Sequence, residues 1–261
     1  MKGTTPPGAR TEREAAAWVR GMFGRVAHRY DLANHLLSFH IDRRWRAHAV
    51  RRVSRILRQD GARVLDICCG TGDLALALSQ ASRGVVMGSD FCHPMLVAAR
   101  GKIARRRARI PLFESDALSL PLGDATLDLI TVAFGFRNLA NYEAGLVEMR
   151  RVLRPGGMAA ILEFSHPPNR LFAGLYNFYS RRILPWIGGA LSGSRDAYRY
   201  LPESVGKFPT APELADDMRR AGFENVSFDY LTGGIVALHL GERPGTPLGT
   251  LLGTPLRTPI S

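Results

Sequence analysis

The sequence predicts an α/β fold: an open, Rossmann-like sheet, mostly parallel, with helices on its faces. Three observations carry this. Val64, Leu65 and Ile67 make a short buried-strand pattern, and Leu74-Ala-Leu-Ala-Leu78 a helical one, joined through Gly70-Thr-Gly72. Strand and helix patterns then alternate as far as Phe164. Two further strand runs, 226–231 and 235–240, lie close enough in sequence to form an antiparallel pair.

The elements follow in order. Residues 1–10 lack an apolar segment, so no signal peptide is expected there and they are read as a disordered tail. Residues 11–60 read as a helical cap of two or three helices, broken around Tyr30-Asp-Leu-Ala-Asn34 and Ser38. Within it, Asp42 to Arg58 is dense in arginine, yet Trp45, Ala49, Val53, Ile56 and Leu57 fall at helical spacing. One face of that helix should pack while the other presents arginines. The second strand is 85–90, the third 110–115, ending at Asp116-Ala117, and the fourth 127–133. A helix over 142–153 stops at Arg154-Pro-Gly-Gly157, and the fifth strand is 158–164. Residues 165–209 form an insertion that is aromatic and aliphatic from Leu171 to Leu191, too short and interrupted to span a bilayer. It reads as a lid over a hydrophobic substrate. After a helix over 211–221 and the antiparallel pair, residues 242–261 repeat Gly-Thr-Pro-Leu with variation and read as disordered. Residues 11–241 thus make a single domain.

Composition narrows the function classes. The 261 residues are 46% hydrophobic, enough for one large core, and no apolar run approaches the length of about 18 residues that a bilayer requires. The three cysteines give neither a disulfide framework nor a metal-ligand spacing, so no metal is expected and a reducing cytoplasm is the natural compartment. A net charge of +12 is concentrated in the 42–58 helix and in Arg105-Arg-Arg107. No reading element or aromatic platform for nucleic acid accompanies it. Peripheral contact with an anionic membrane surface fits better.

The glycine turn also satisfies the dinucleotide pattern, as Gly70-Thr-Gly72-Asp-Leu-Ala75. Asp66 at the strand end and Asp73 at the helix start would repel a pyrophosphate. S-Adenosylmethionine has no phosphate and carries a sulfonium and an ammonium, which acidic groups attract. Asp90, closing the second strand, suits a ribose diol, and Asp116 with Ala117 could meet an adenine amino group. The candidate cofactor residues are therefore Asp66, Gly70, Thr71, Gly72, Asp90, Asp116 and Ala117.

With these pieces placed, the chain resembles the UbiE/MenG family of quinone C-methyltransferases. The shared stretches include Arg29-Tyr30-Asp31-Leu32, Asp42-Arg-Arg-Trp45, Leu65-Asp-Ile-Cys-Cys-Gly-Thr-Gly-Asp73, Ala133-Phe-Gly-Phe-Arg-Asn138, Leu162-Glu-Phe-Ser165, Tyr198-Arg-Tyr-Leu-Pro-Glu-Ser204 and Leu231-Thr-Gly-Gly-Ile-Val-Ala-Leu-His239. The resemblance implies a class I S-adenosylmethionine-dependent methyltransferase with a seven-stranded sheet whose last strand is antiparallel. It carries cofactor positions over to Thr71, Asp90 and Asp116-Ala117. Its substrate would be a polyprenylated quinol, demethylmenaquinol ahead of the benzoquinol precursor of ubiquinone. A homo-oligomer or a quinone-biosynthesis complex stays open, as do another small-molecule methyltransferase and a non-catalytic subunit. Three positions depart from the usual pattern: His166 replaces a common lysine, Ala133 an occasional serine, and Cys68 the first glycine of the general methyltransferase motif.

Ring methylation needs an in-line approach, a favoured phenolate and exclusion of water. Arg137 is expected to stabilise the phenolate oxygen. Its high pKa makes it a poor base, so a water held by Arg137, Asn138 or Tyr30 is the expected proton acceptor. His28, His166 and His239 are rival bases, with His239 expected to be a packed core residue.

Overall fold

The computed structural model describes residues 3–27, 40–169, 172–174 and 195–245. Seven strands form one sheet: β1 (Arg63–Ile67), β2 (Val85–Asp90), β3 (Leu112–Glu114), β4 (Leu127–Ala133), β5 (Leu153–Phe164), β6 (Glu224–Leu231) and β7 (Val236–Glu242). Their order is β3-β2-β1-β4-β5-β7-β6, with β7 antiparallel to both neighbours and every other pairing parallel. The chain moves outward from β1 to β3 and then returns to the other side of β1. That reversal opens a crevice at the carboxyl ends of β1 and β4.

The period of two along β1 divides the core. Val64 packs with α2 (Ile41–Arg52), α3 (Ser54–Leu57), α4 (Asp73–Ala81) and α5 (His93–Arg105), in a cluster that includes Trp45, Leu57, Leu78 and Ile103. Leu65 and Ile67 face the other layer, where α6 (Tyr142–Val152) and α8 (Ala211–Arg220) contribute Leu146, Met149, Leu214 and Met218. The arginine-dense helix buries the predicted residues Trp45, Ala49, Val53, Ile56 and Leu57, although Val53 breaks it into α2 and α3. Burying each large side chain there stabilises the layer by about 1.5–3 kcal/mol.

Four strands differ in their limits from the sequence reading: β6 starts at Glu224, β7 runs from Val236 to Glu242, and the changes in β3 and β5 have a visible cause. Pro111 has no N–H to add to the sheet, so β3 begins at Leu112, while the Pro111 carbonyl still accepts from Gly88. Arg154-Pro-Gly-Gly157, read as a turn, is an irregular first part of β5, where Gly156 donates to the Arg243 carbonyl and Arg243 to that of Gly157.

The amino-terminal side also departs from expectation. Residues 3–10 do not trail free: Thr4 is buried and its N–H donates to the Leu139 carbonyl at 2.8 Å. Helix α1 (Glu12–Val26) starts with a capping box between Thr11 and Glu14 and buries Ala15, Val19, Met22 and Val26. It packs on α5 and on α7 (Arg195–Lys207). Of the predicted lid, α7 is described, and so is Phe172, whose ring lies over Gly233. Tyr176, Phe178, Tyr179 and Trp186 lie outside the described residues, as do Tyr30, His28 and the tail beyond 245. Among the described residues, no helix is long and apolar enough to cross a membrane.

Candidate functional site

The crevice at the switch point is a cleft of about 1000 Å³, counted with its open mouth. Its floor is the turn from β1 to α4. Cys68 follows β1 with φ +49°, Gly70 (+54°) and Gly72 (+84°) come next, and the Gly72 N–H returns to the Cys69 carbonyl at 2.9 Å. Nothing lies within 4 Å of where a Cβ on Gly70 would be, so the backbone there is open to a ligand.

Two buried carboxylates hold this floor. Asp90, at the end of β2, accepts from the Gly70 N–H (2.8 Å) through Oδ2 and from the Cys92 N–H (2.8 Å) through Oδ1. Burial pushes its pKa up to about 6, against those two backbone bonds. Asp66, on β1, accepts from the hydroxyl of Thr131 at 2.8 Å, its register partner on β4. Burial pushes Asp66 up to about 7 despite that bond. A cation entering the cleft would therefore meet two carboxylates that burial has made costly to ionise. Their charge would be relieved by the ligand.

Asp73 behaves differently from the sequence reading. It forms an ion pair with Lys102 Nζ at 2.7 Å and with Arg46 at 3.6 Å, and Lys102 also donates to Thr71 Oγ1 at 2.9 Å. The acidic helix start is thus neutralised, and repulsion of a pyrophosphate cannot rest on it. The discrimination falls to Asp66 and Asp90.

At the far wall, Asp116 is exposed and turns the chain by accepting from the Leu118 N–H at 2.9 Å, while Ala117 is buried. Both line the cleft, with Ser115 between them and β3. The Ser115 hydroxyl is buried without a hydrogen-bond partner among the described residues. A nucleoside at this wall would meet a ready polar group. All seven predicted cofactor residues except Gly72 line the cleft, and Gly72 shapes its turn.

The other candidates separate. Asn138 lines the cleft, and its Oδ1 accepts from the Tyr200 hydroxyl at 3.0 Å. Tyr200 in turn shares a 2.6 Å bond with Thr4, whose hydroxyl must be the donor because Tyr200's single proton goes to Asn138. Arg137 does not line the cleft. It is 5% exposed, and its guanidinium donates to Glu163 Oε1 at 3.0 Å and to the Phe134 carbonyl. His239 is 2% exposed, bonded to the Ala211 carbonyl at 2.9 Å, and burial holds its pKa down at about 4. His166 bonds the Phe208 carbonyl at 2.9 Å, so neither described histidine faces the cleft. Burial pushes the Cys68 and Cys69 thiols well up, which removes them as nucleophiles.

Sequence reasoning missed Phe134, Arg46, Ala16 and Phe23, which also line the cleft. Phe134 directly follows β4 with φ +59° and packs 5.0 Å from Phe164 and 5.9 Å from Trp45, between ring centroids. The signal for it was present: an aromatic directly before Gly135 at a strand end.

Comparison with known proteins accords with this geometry. The ubiE/COQ5 methyltransferase family model matches residues 10–243. The chain is 48% identical to the demethylmenaquinone methyltransferase of Thermus thermophilus, over 85% of this chain and 100% of that protein. It is 48% identical to the ubiquinone/menaquinone biosynthesis C-methyltransferase UbiE of Syntrophotalea carbinolica, over 86% and 94%. It is 43% identical to the demethylmenaquinone methyltransferase of Deinococcus radiodurans, over 93% and 100%. Among solved structures, a SAM-dependent methyltransferase from Thermotoga maritima superposes with TM-score 0.59 at 20% identity, over 85% of this chain and 99% of that one. One from Aquifex aeolicus gives 0.54 at 20%, over 74% and 88%, and both show the same fold.

Proposed function

The chain belongs to the ubiE/COQ5 methyltransferase family, and from that premise we propose that it methylates a ring carbon of a polyprenylated quinol, demethylmenaquinol ahead of the benzoquinol precursor of ubiquinone. It is an S-adenosylmethionine-dependent methyltransferase of quinone biosynthesis. The observation that carries the choice of ring is the full-length likeness to demethylmenaquinone methyltransferases from two organisms.

When bound, S-adenosylmethionine supplies an electrophilic methyl group on a sulfonium. Asp66 gives its charge to the cationic end, Asp90 receives the ribose hydroxyls, and Asp116, Ala117 and Ser115 receive the base. Gly70 and Gly72 allow close approach, and Thr71 is held in place by Lys102. Asn138, fixed by Tyr200, offers its amide to the quinol hydroxyl or to the water that accepts its proton. Tyr30 is the second candidate for holding that water. Arg137 serves as a positioning residue, since its guanidinium locks the Phe134–Asn138 loop onto Glu163. The Phe134 ring, backed by Trp45 and Phe164, supplies an apolar surface for the quinol ring and keeps water from it. We also propose that the enzyme meets this lipid-borne substrate at a membrane surface.

The test is methyl transfer from labelled S-adenosylmethionine to reduced demethylmenaquinone and, in parallel, to the reduced benzoquinone precursor, with mass analysis of the products. A ring-carbon methyl on the naphthoquinol alone is expected. Transfer to the benzoquinol alone overturns the choice of ring, and transfer to neither overturns the quinol reading.

A further inference from the structure

A second cavity, a groove of about 970 Å³ counted with its open side, lies between α2, α4 and α5. Arg43, Arg46, Lys102, Arg105 and Arg106 line it around a single carboxylate, Asp73, above the small floor residues Ala47 and Ala77. Asp73 is already matched by Lys102 and Arg46. Arg43, Arg105 and Arg106 are exposed and form no ion pair among the described residues. Cations gathered in this way repel one another until an anion enters. Guanidinium groups converging from two helices match the oxygens of a phosphate, which they bind in pairs of charge-assisted bonds.

We infer that this groove is a docking site for the phosphate of an anionic phospholipid, which seats the enzyme on the bilayer. The choice of a lipid rests on the membrane reading above and on the extent of the charge. Arg44 on α2, with Arg107 and Arg109 just beyond α5, carries exposed positive charge past the groove, over more area than one soluble phosphate would use. The placement has a consequence for the reaction. Arg46 and Asp73 line both the groove and the cofactor cleft, so they form the partition between the two. A headgroup held at Arg43, Arg105 and Arg106 would bring the bilayer against that partition, where a quinol leaving the membrane has a short path to the cleft.

The test is co-sedimentation of the full chain, without substrate, with vesicles of phosphatidylglycerol and phosphatidylcholine in equal parts. The comparison is with a triple variant, Arg43→Gln, Arg105→Gln and Arg106→Gln, and a charge-matched control, Arg154→Gln, Arg219→Gln and Arg220→Gln. Three charges near an anionic surface correspond to about a 100-fold loss of vesicle affinity in the groove variant. The control should bind as the parent does, and methyl transfer to a short-chain, water-soluble quinol should be unchanged in both. Equal losses in the two variants would overturn the groove in favour of diffuse attraction. Undiminished binding in the groove variant would overturn it while leaving the membrane reading intact. No vesicle binding by the parent chain removes both. Retention on single-stranded RNA, or saturation by inorganic phosphate, in place of vesicle binding would assign the groove to those anions.

Discussion

The buried carboxylate of Glu163 takes both the backbone N–H and the guanidinium of Arg137, at 3.1 Å and 3.0 Å. One acid at the end of β5 thereby fixes the short 3-10 turn Phe136–Asn138 that follows β4 and forms one wall of the cleft. Removing either partner leaves the other charge buried, which costs about 3–5 kcal/mol. Glu163→Ala and Arg137→Ala should therefore lower unfolding free energy in urea to similar extents. They should also lower methyl transfer together, with a double variant little worse than either single one. An Arg137→Ala protein of parental stability that has lost activity would mean that Arg137 acts on the substrate itself.

Asp66 gives a pH dependence whose sign can be worked out. Its folded pKa, about 7, lies above the unfolded value of 3.8, so the folded state holds the proton more tightly. Stability then falls as pH rises from about 4 to about 7 and stays low above it. Asp66→Asn removes this cost. The variant should be more stable than the parent at pH 8, by at most about 4 kcal/mol, and the difference should vanish toward pH 4.

Cofactor binding should run the other way. A cationic ligand favours ionised Asp66, and Asp90, near 6, ionises before it. Affinity for S-adenosylmethionine should rise with pH and level off above about 7, with protons released on binding below that point. Calorimetry in two buffers of different ionisation enthalpy reads the proton count directly. Asp66→Asn should bind weakly and lose most of the pH dependence.

Much of this arrangement was legible in the chain because it depends on local pattern. The glycine turn, the carboxylates Asp66, Asp90 and Asp116 at the ends of the first three strands and the alternation through Phe164 need only residue type and spacing. What stayed hidden depends on residues distant in sequence. Nothing near Asp73 announces Lys102, a neighbour only once α5 packs beside α4. Arg137 looked catalytic because its motif ends a strand facing the cleft, whereas its partner Glu163 comes from the adjacent strand. Thr4 looked idle because its partner Tyr200 lies nearly two hundred positions away.

That last contact ties the amino-terminal segment to the site through Tyr200 and Asn138. Tyr200→Phe leaves the Asn138 carbonyl oxygen and the Thr4 hydroxyl without their shared partner. An unsatisfied buried group costs about 1–3 kcal/mol. The variant should melt earlier and show a raised KM for the quinol, because the Asn138 amide then keeps only its long 3.5 Å bond to the Phe134 carbonyl. Thr4→Val, which removes only the outer bond, should cost less stability and leave KM nearer the parent value. Equal kinetic effects from the two would show that the relay does not orient Asn138.

The sharpest test of the cleft's architecture lies where β1 and β4 end side by side. A Cβ on Gly135 would stand 2.5 Å from the Cβ of Cys68 and 3.3 Å from Val132 Cγ2, so Gly135→Ala must push the two strand ends apart. Overpacking of this kind costs about 1–3 kcal/mol. Here it would also displace Phe134 and Asn138 from the cleft wall, so cofactor affinity and methyl transfer should fall with stability. Cys68 itself sits at φ +49°, a conformation that glycine adopts without strain. Cys68→Gly alone should therefore be tolerated, and in combination it removes the atom that the new methyl group strikes. Recovery of cofactor binding in the Gly135→Ala, Cys68→Gly double variant, followed by equilibrium titration, is the expected result. Its absence would mean that Val132 Cγ2 at 3.3 Å and the Cys68 carbonyl at 3.4 Å, rather than the Cys68 side chain, set the limit, because Gly135 itself lies at an ordinary φ of −112°.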